Sequence, residues 1–307
     1  MDPFSRRLPL SRAEVDRDHV SRGRDGLIDE LWSDDATRVL PVFEGSALLA
    51  ADGSLALLPP AAVPDSELRV YLGRSLSTTS PEPVGTPIVA ALLSDAGHYA
   101  EGEWANLRRL GGQLSNRDAG LLTEALGILN WHASHGFSPR TGEPTVVGDA
   151  GWVRRDPVGG GQVFPRTDPA IIVGITDSQD RLLLGSNALW ESNRYSLLAG
   201  FVEPGESLEA AVVREVFEES GLEVVDPVYL GSQPWPFPAS LMLGFRARVA
   251  DDAARPTPDG TEILDLRWFS REELAASLGD VLLPGPTSIA RTIIEEWFGG
   301  PIDDGSR

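Results

Sequence analysis

The chain has 307 residues and a formal net charge of −20 at neutral pH, with 41% hydrophobic and 23% charged side chains. This describes about two globular domains with cores of their own, and it excludes both a chain disordered throughout and a general nucleic-acid coat protein. There is no cysteine and every one of the 26 basic residues is arginine, which excludes disulfides, thiolate nucleophiles, cysteine-ligated zinc, lysine Schiff bases and the lysine of a G-x-x-x-x-G-K-[ST] phosphate loop.

In chain order, Arg6, Arg7, Arg12, Arg17, Arg22 and Arg24 alternate with Asp16, Asp18 and Asp25, without an apolar period. This reads as a mixed-charge surface arm or short helix. The N-terminus lacks the apolar core of a secretory signal, and no later stretch reaches the roughly 20 apolar residues of a membrane span. The expectation is a cytoplasmic protein without a membrane partner. From Val39 the runs 46–50 and 55–58 flank Asp52-Gly53, a hairpin-turn dipeptide, and the runs 68–72 and 87–93 add further strands. Leu121, Leu122, Ala125, Leu126 and Leu129 then share one face of a helix opening at Asp118 and ending near Trp131-His132. Residues 1–130 are therefore expected to form a β-rich N-terminal domain.

Residues 131–166 are rich in glycine, proline and polar side chains and are read as a connector; 167–307 form a second domain. There, the strand-like runs 171–175, 181–184 and 196–198 precede one helix, more strands and a C-terminal helix around Ile289 to Trp297, a mixture that implies an α+β or α/β sandwich. The helix is expected from Ser207, a natural N-cap, to Ser220, with Gly221 as C-cap. Leu208, Ala211, Val212 and Val216 form its apolar stripe, whereas Glu215, Glu218 and Glu219 stand at i, i+3 and i+4, within about 60° of one another. Such a triplet is either a solvated acidic face or a site for a hard divalent cation, which offsets the mutual repulsion of the carboxylates.

The surrounding residues decide between these. Gly200, Glu206, Arg214, Glu215, Val216, Glu218, Glu219, Gly221 and Leu222 fill every specified position of G-x5-E-x7-R-E-U-x-E-E-x-G-U, with U aliphatic, and the segment resembles the signature of the Nudix hydrolases. That resemblance implies a C-terminal α/β/α sandwich, cleavage of nucleoside diphosphates linked to another moiety, and Mg²⁺ or Mn²⁺ as cofactor. It implies Glu215 and Glu219 as the main metal ligands, Glu218 as a further ligand or proton acceptor, Arg214 as the ion-pair partner that orients them, and the carbonyl of Ala199 as another ligand.

Ten residues on, Ser232-Gln233-Pro234-Trp235-Pro236-Phe237-Pro238-Ala239-Ser240 is similar to the S-Q-P-W-P-F-P-x-S array of the NADH pyrophosphatase branch of that family. Three prolines stiffen the loop, so its rings are presented with little left to order on binding. The resemblance implies cleavage of NAD(H) to NMN(H) and AMP, removal of NAD caps from RNA 5′ ends to leave a monophosphate, a homodimer, and substrate contacts from Gln233 through Ser240. Local similarity adds Glu262 as a metal ligand, Ala290 as a backbone substrate contact, and Phe164 and Phe201 as rings that could sandwich nicotinamide. The alternatives are a Nudix hydrolase of ADP-ribose or a dinucleoside polyphosphate, and a nucleotide sensor without turnover.

The sequence departs from the resemblance in the connector. Where a four-cysteine zinc ribbon is usual, this chain has Ser138, Thr141, Asp156 and Gly159, which cannot assemble a tetrahedral structural zinc site. No structural zinc is expected. His132 and His135 are read as ordinary structural histidines, and Arg140, Arg155 and Asp156 as sources of hydrogen bonds or ion pairs that stand in for the metal.

Overall fold

The computed structural model describes residues 4–191 and 193–305, with the side chain of residue 98 left aside. The chain separates into two compact units, one made of Met1–Ser11, Asp168–Pro234 and Ser240–Arg307, the other of Arg12–Thr167 with Trp235–Ala239. Together they are a mixed α/β fold with a β-rich N-terminal region. No helix among the described residues is long and apolar enough to cross a membrane.

In the first unit the strands run in the order Val224–Trp235, Ser240–Val249, Asp168–Thr176, Leu182–Asn187 and Ile263–Phe269, with Leu198–Phe201 also paired to Asp168–Thr176. Strand Asp168–Thr176 shows why this sheet is covered on both faces. Its side chains alternate, so Ile171, Val173 and Ile175 lie with Ala211, Val212 and Val216 of helix Leu208–Ser220, whereas Ile172 lies with Ile289, Ile293 and Ile294 of helix Ile289–Phe298. A helix on each face makes the α/β/α sandwich.

Residues 4–11 differ from the surface arm expected of the N-terminal segment. Phe4, Leu8 and Leu10 are buried, the first two in the cluster under the C-terminal helix. With only three apolar residues spread over irregular 3-10 turns, the segment has no period that patterning could detect.

The second unit has a six-stranded sheet in the order Val15–Asp16, Ser66–Ser75, Pro87–Leu93, Arg38–Phe43, Ser46–Leu48 and Trp104–Asn106. Gly53, at φ 80°, makes the expected tight turn, but only residues 46–48 form a strand there; Leu55 and Leu58 make isolated bridges. Helix Asn116–Ser134 is capped by Ser115, whose Oγ accepts from Asp118 N–H at 3.1 Å, and is buried through most of its length. A three-stranded sheet of Val146–Gly148, Val153–Arg155 and Gln162–Val163 follows.

Candidate active site

Helix Leu208–Ser220 starts where Ser207 Oγ accepts from Ala210 N–H at 3.1 Å, and stops at Gly221, at φ 67°. Its apolar face is fixed against the sheet, so rotation about its axis is not free. That rotation directs Glu215 and Glu219 toward strand Leu198–Phe201. The Glu215 carboxylate lies where a Cβ on Gly200 would be, with its atoms 1.9 to 2.2 Å from that position. Gly200 is thus required for the room it leaves, since any side chain there would displace the carboxylate.

Arg214 organises the acids. Its Nε and Nη2 donate to the two oxygens of Glu206 at 2.8 and 2.9 Å, Nη2 also donates to the Phe201 carbonyl at 2.9 Å, and Nη1 reaches Glu218 and Glu215 at 2.9 Å each. The planar fork suits this multidentate role as an ammonium would not. These bonds hold the Arg214 guanidinium well above its ordinary pKa and take Glu206 down to about 2. Glu203 N–H completes the Glu206 carboxylate at 3.0 Å, closing the turn before the helix.

Glu219 is the exception. It is only 5% exposed and its Oε2 is buried without a hydrogen-bond partner. Burial, and then the charges of Glu262 and Glu215, raise its pKa to about 8, partly offset by a hydrogen bond with the Ala199 backbone. Burial raises Glu215 as well, with Arg214 pulling it down. Glu218 is exposed and paired to Arg214. Glu262, also exposed, is held through its backbone N–H by the Asp259 carboxylate, which is itself lowered to about 2, first by the Thr261 hydroxyl. Sequence reading missed Asp259, because an acid three residues before Glu262 has no signal apart from this turn.

A hard divalent cation fits this donor set. The site offers several carboxylates, a half-buried strand carbonyl at Ala199 and one buried oxygen that nothing in the protein satisfies. Among the described residues no three acidic or histidine side chains already converge as a closed cage.

The loop array divides between the two units. Gln233 is 0% exposed; its Oε1 accepts from Leu10 N–H and its Nε2 donates to the Thr287 carbonyl, both at 3.1 Å. In this structure the amide braces the base of the loop. Pro234 ends the first unit's share and Ser240 opens the next strand, opposite Asp168. Trp235, Pro236, Phe237, Pro238 and Ala239 belong with the second unit, where the Trp235 and Phe237 rings meet edge to face at 4.9 Å and 74°. Phe237-Pro238 is a cis peptide.

Of the remaining residues, Phe164 is 58% exposed in the second unit and Phe201 60% exposed in the first, so both rings have free surface. Ala290 lies in the first turn of helix Ile289–Phe298. It is 1% exposed, and its N–H donates to the capping Ser288 Oγ at 3.2 Å.

In the connector Asp156 is the hub. Its carboxylate accepts from Thr141 Oγ1 at 2.7 Å, from the N–H groups of Val158 and Gly159 at 2.9 and 2.7 Å, and from the Ser138 hydroxyl, bonds that hold its pKa far below the usual carboxylate range. Ser138, Thr141, Asp156 and Gly159 thus converge through hydrogen bonds. Arg155 instead pairs with Asp149, and Arg140 adds its backbone N–H to Ser138 Oγ at 3.3 Å, so the two arginines expected to share the task do not reach the hub with their charges. His132 Nε2 meets the Gly151 carbonyl at 2.8 Å and Nδ1 meets Arg154 at 2.9 Å, while His135 Nδ1 meets Ser134 Oγ. Burial is the main cause of the lowered His132 pKa, and with both nitrogens engaged it is a neutral structural side chain.

A sheet between two helices, with the strand–turn–helix that presents Glu206, Arg214, Glu215, Glu218 and Glu219, defines a protein of the Nudix class. Residues 165–287 match the NUDIX domain, and residues 36–131 match the NADH pyrophosphatase-like rudimentary NUDIX domain. The chain is 44% identical over 274 residues to "NAD-capped RNA hydrolase NudC" of Mycobacterium bovis (strain BCG / Pasteur 1173P2), covering 86% of this chain and 84% of that protein. It is 39% identical over 211 residues to the protein of the same name from Stutzerimonas stutzeri (strain A1501), covering 69% and 73%. A crystal structure of a NUDIX hydrolase from Nitrosomonas europaea aligns at TM-score 0.42 and 21% identity, covering 54% of this chain and 94% of that one. The chain belongs to the NudC family of Nudix hydrolases.

Proposed function

We propose that the protein hydrolyses the pyrophosphate bond of NAD(H) to NMN(H) and AMP, and removes NAD caps from RNA 5′ ends to leave NMN and a 5′-monophosphate RNA. The observation that carries this is the buried, unpartnered Glu219 oxygen inside an acidic cluster that Arg214 organises, in a chain similar over most of its length to NAD-capped RNA hydrolases. An acid at this position costs stability unless it serves a bound cation.

Glu215, Glu218, Glu219, Glu262 and the Ala199 carbonyl would hold Mg²⁺ or Mn²⁺. The chemistry that such an ion supplies is neutralisation of pyrophosphate charge and acidification of water. The protein's own groups do the rest. Arg214 holds Glu206, Glu215 and Glu218 together through its ion pairs and so orients the acidic cluster. Glu218, exposed and paired to Arg214, would accept the proton of the attacking water. Trp235 and Phe237 offer rings on which a base or nicotinamide stacks, and Phe164 and Phe201 offer two more.

The net charge of −20 keeps long RNA from adding affinity by bulk electrostatics. Recognition is therefore of the cap and the first few nucleotides. Cytoplasmic location and a homodimer belong to this reading, as does the absence of a structural zinc.

The test is chromatography of products after incubation with NADH, NAD or NAD-capped RNA and Mg²⁺ or Mn²⁺. NMN(H) with AMP, or with monophosphorylated RNA, is expected only with metal and intact Glu219. Binding of all three without turnover would instead establish a nucleotide sensor, and turnover confined to ADP-ribose or a dinucleoside polyphosphate would establish a different hydrolase.

A further inference from the structure

We propose that Arg108 and Asn130 clamp the Trp235–Pro238 loop and set the pose of its two rings, making them positioning residues for substrate specificity. This rests on the reading of that loop as the substrate-contacting element.

The argument begins with what the loop lacks. Two of its four residues, Pro236 and Pro238, are prolines with no N–H, and the N–H of Phe237 is already given to the Trp235 carbonyl at 2.7 Å. The carbonyls of Pro236 and Pro238, one on each side of Phe237, therefore need donors from outside the loop. Asn130, near the end of helix Asn116–Ser134, supplies both: its Nδ2 donates to Pro236 O at 2.9 Å and to Pro238 O at 3.2 Å. A single side-chain amide with two hydrogens thus spans the backbone on either side of the Phe237 ring.

The ring itself is held by Arg108, on the short helix Leu107–Leu110. Its guanidinium carbon lies 4.1 Å from the Phe237 centroid and 5.3 Å from that of Trp235. Among the described residues no carboxylate pairs with Arg108, so its charge is directed at the two rings. One contact fixes the backbone and the other fixes the aromatic pair. Neither residue lies in the motifs that identify the site, and both come from the unit that also contains the loop tip.

A clamp on a binding loop acts on substrate affinity and leaves the chemical step intact, so KM should move while kcat does not. The experiment uses the full chain with Asn130→Asp, which keeps the shape but removes both donors, Arg108→Ala, and Arg108→Lys. Steady-state kinetics on NADH and on NAD-capped RNA are combined with amide hydrogen exchange over 232–241. Asn130→Asp should raise KM for both substrates by about 5-fold, from the loss of hydrogen bonds worth on the order of 1 kcal/mol. Arg108→Ala should raise KM by about 2- to 5-fold, and Arg108→Lys should restore part of it. Exchange over 232–241 should quicken in Asn130→Asp and Arg108→Ala, with kcat within about twofold of the parent.

Unchanged exchange and KM in both variants would overturn the clamp, as would a fall in kcat at constant KM. An Arg108→Ala effect confined to capped RNA and abolished by salt would overturn it too, showing a phosphate contact instead. If the parent protein turns over none of the substrates, exchange decides the matter alone: faster exchange keeps the clamp while the functional reading fails.

Discussion

Asp156 in the connector and Glu219 in the carboxylate helix are both buried acids at the centre of a cluster, and they differ in what surrounds them. Asp156 has hydroxyls and N–H groups filling its oxygens, and its pKa is driven down. Glu219 faces other acids, leaves one oxygen without a partner, and has its pKa raised to about 8. The first arrangement is finished by the protein alone and holds two loops together. The second is left incomplete by the protein, and in the function proposed above a cation completes it. Satisfaction of the lone pairs, more than burial itself, is what distinguishes these two acids.

The largest effect should come from removing the incomplete acid. Glu219→Gln is expected to lower kcat on NADH by about 10²- to 10⁴-fold, the range for loss of an acid–base or charge-stabilising group, while the metal-free protein becomes more stable near pH 8. The sign follows from the raised pKa: in the metal-free parent, Glu219 causes stability to fall as pH rises from its unfolded value toward about 8. Thermal unfolding of both proteins with EDTA across this window checks it, and an unchanged pH profile would erase the contrast.

Gly200→Ala sharpens the same side of the comparison. Its new methyl meets the flexible end of Glu215, so the fold should persist while the carboxylate moves. Metal affinity and activity should drop by about 10- to 100-fold, as they do when the support of a metal ligand is lost, read by metal titration against melting temperature.

Asp156→Asn tests the finished acid. Because the folded pKa of Asp156 is depressed, its contribution is present above the unfolded value of about 4 and disappears as pH falls below it. The variant should melt lower at pH 7, converge with the parent in acid, and keep its kcat. Loss of kcat in folded protein would mean that the connector has a catalytic role.

The smallest effect concerns Glu124, a third buried acid between these extremes. Arg17 at 3.5 Å and Arg22 at 4.0 Å face it without hydrogen bonding, and burial raises its pKa to about 7. Stability should therefore decline as pH rises from about 4.5 to about 7, and Glu124→Gln should flatten that slope in unfolding curves.

Much of this was legible from the chain. The carboxylate helix, with Ser207 and Gly221 at its ends, is specified by local capping chemistry and a 3.6-residue period that neighbours do not override. The strand-like runs 171–175 and 87–93 and the helical period from Asp118 to about Trp131 were likewise visible because each carries its own pattern, and they fall within strands Asp168–Thr176 and Pro87–Leu93 and helix Asn116–Ser134. The burial of Phe4 and Leu8, the bracing role of Gln233 and the capped N–H of Ala290 were not, because each depends on a partner far away in sequence.

The sequence by itself determined the chemistry: no cysteine, no lysine, and three glutamates on one helical turn behind an arginine, all consequences of residue type and short-range spacing. Tertiary structure decided which of those acids is left incomplete. That depends on which face of the helix meets the sheet, on the space left by Gly200, and on which carboxylates Arg214 reaches, and these are set by packing over distances that local sequence does not encode.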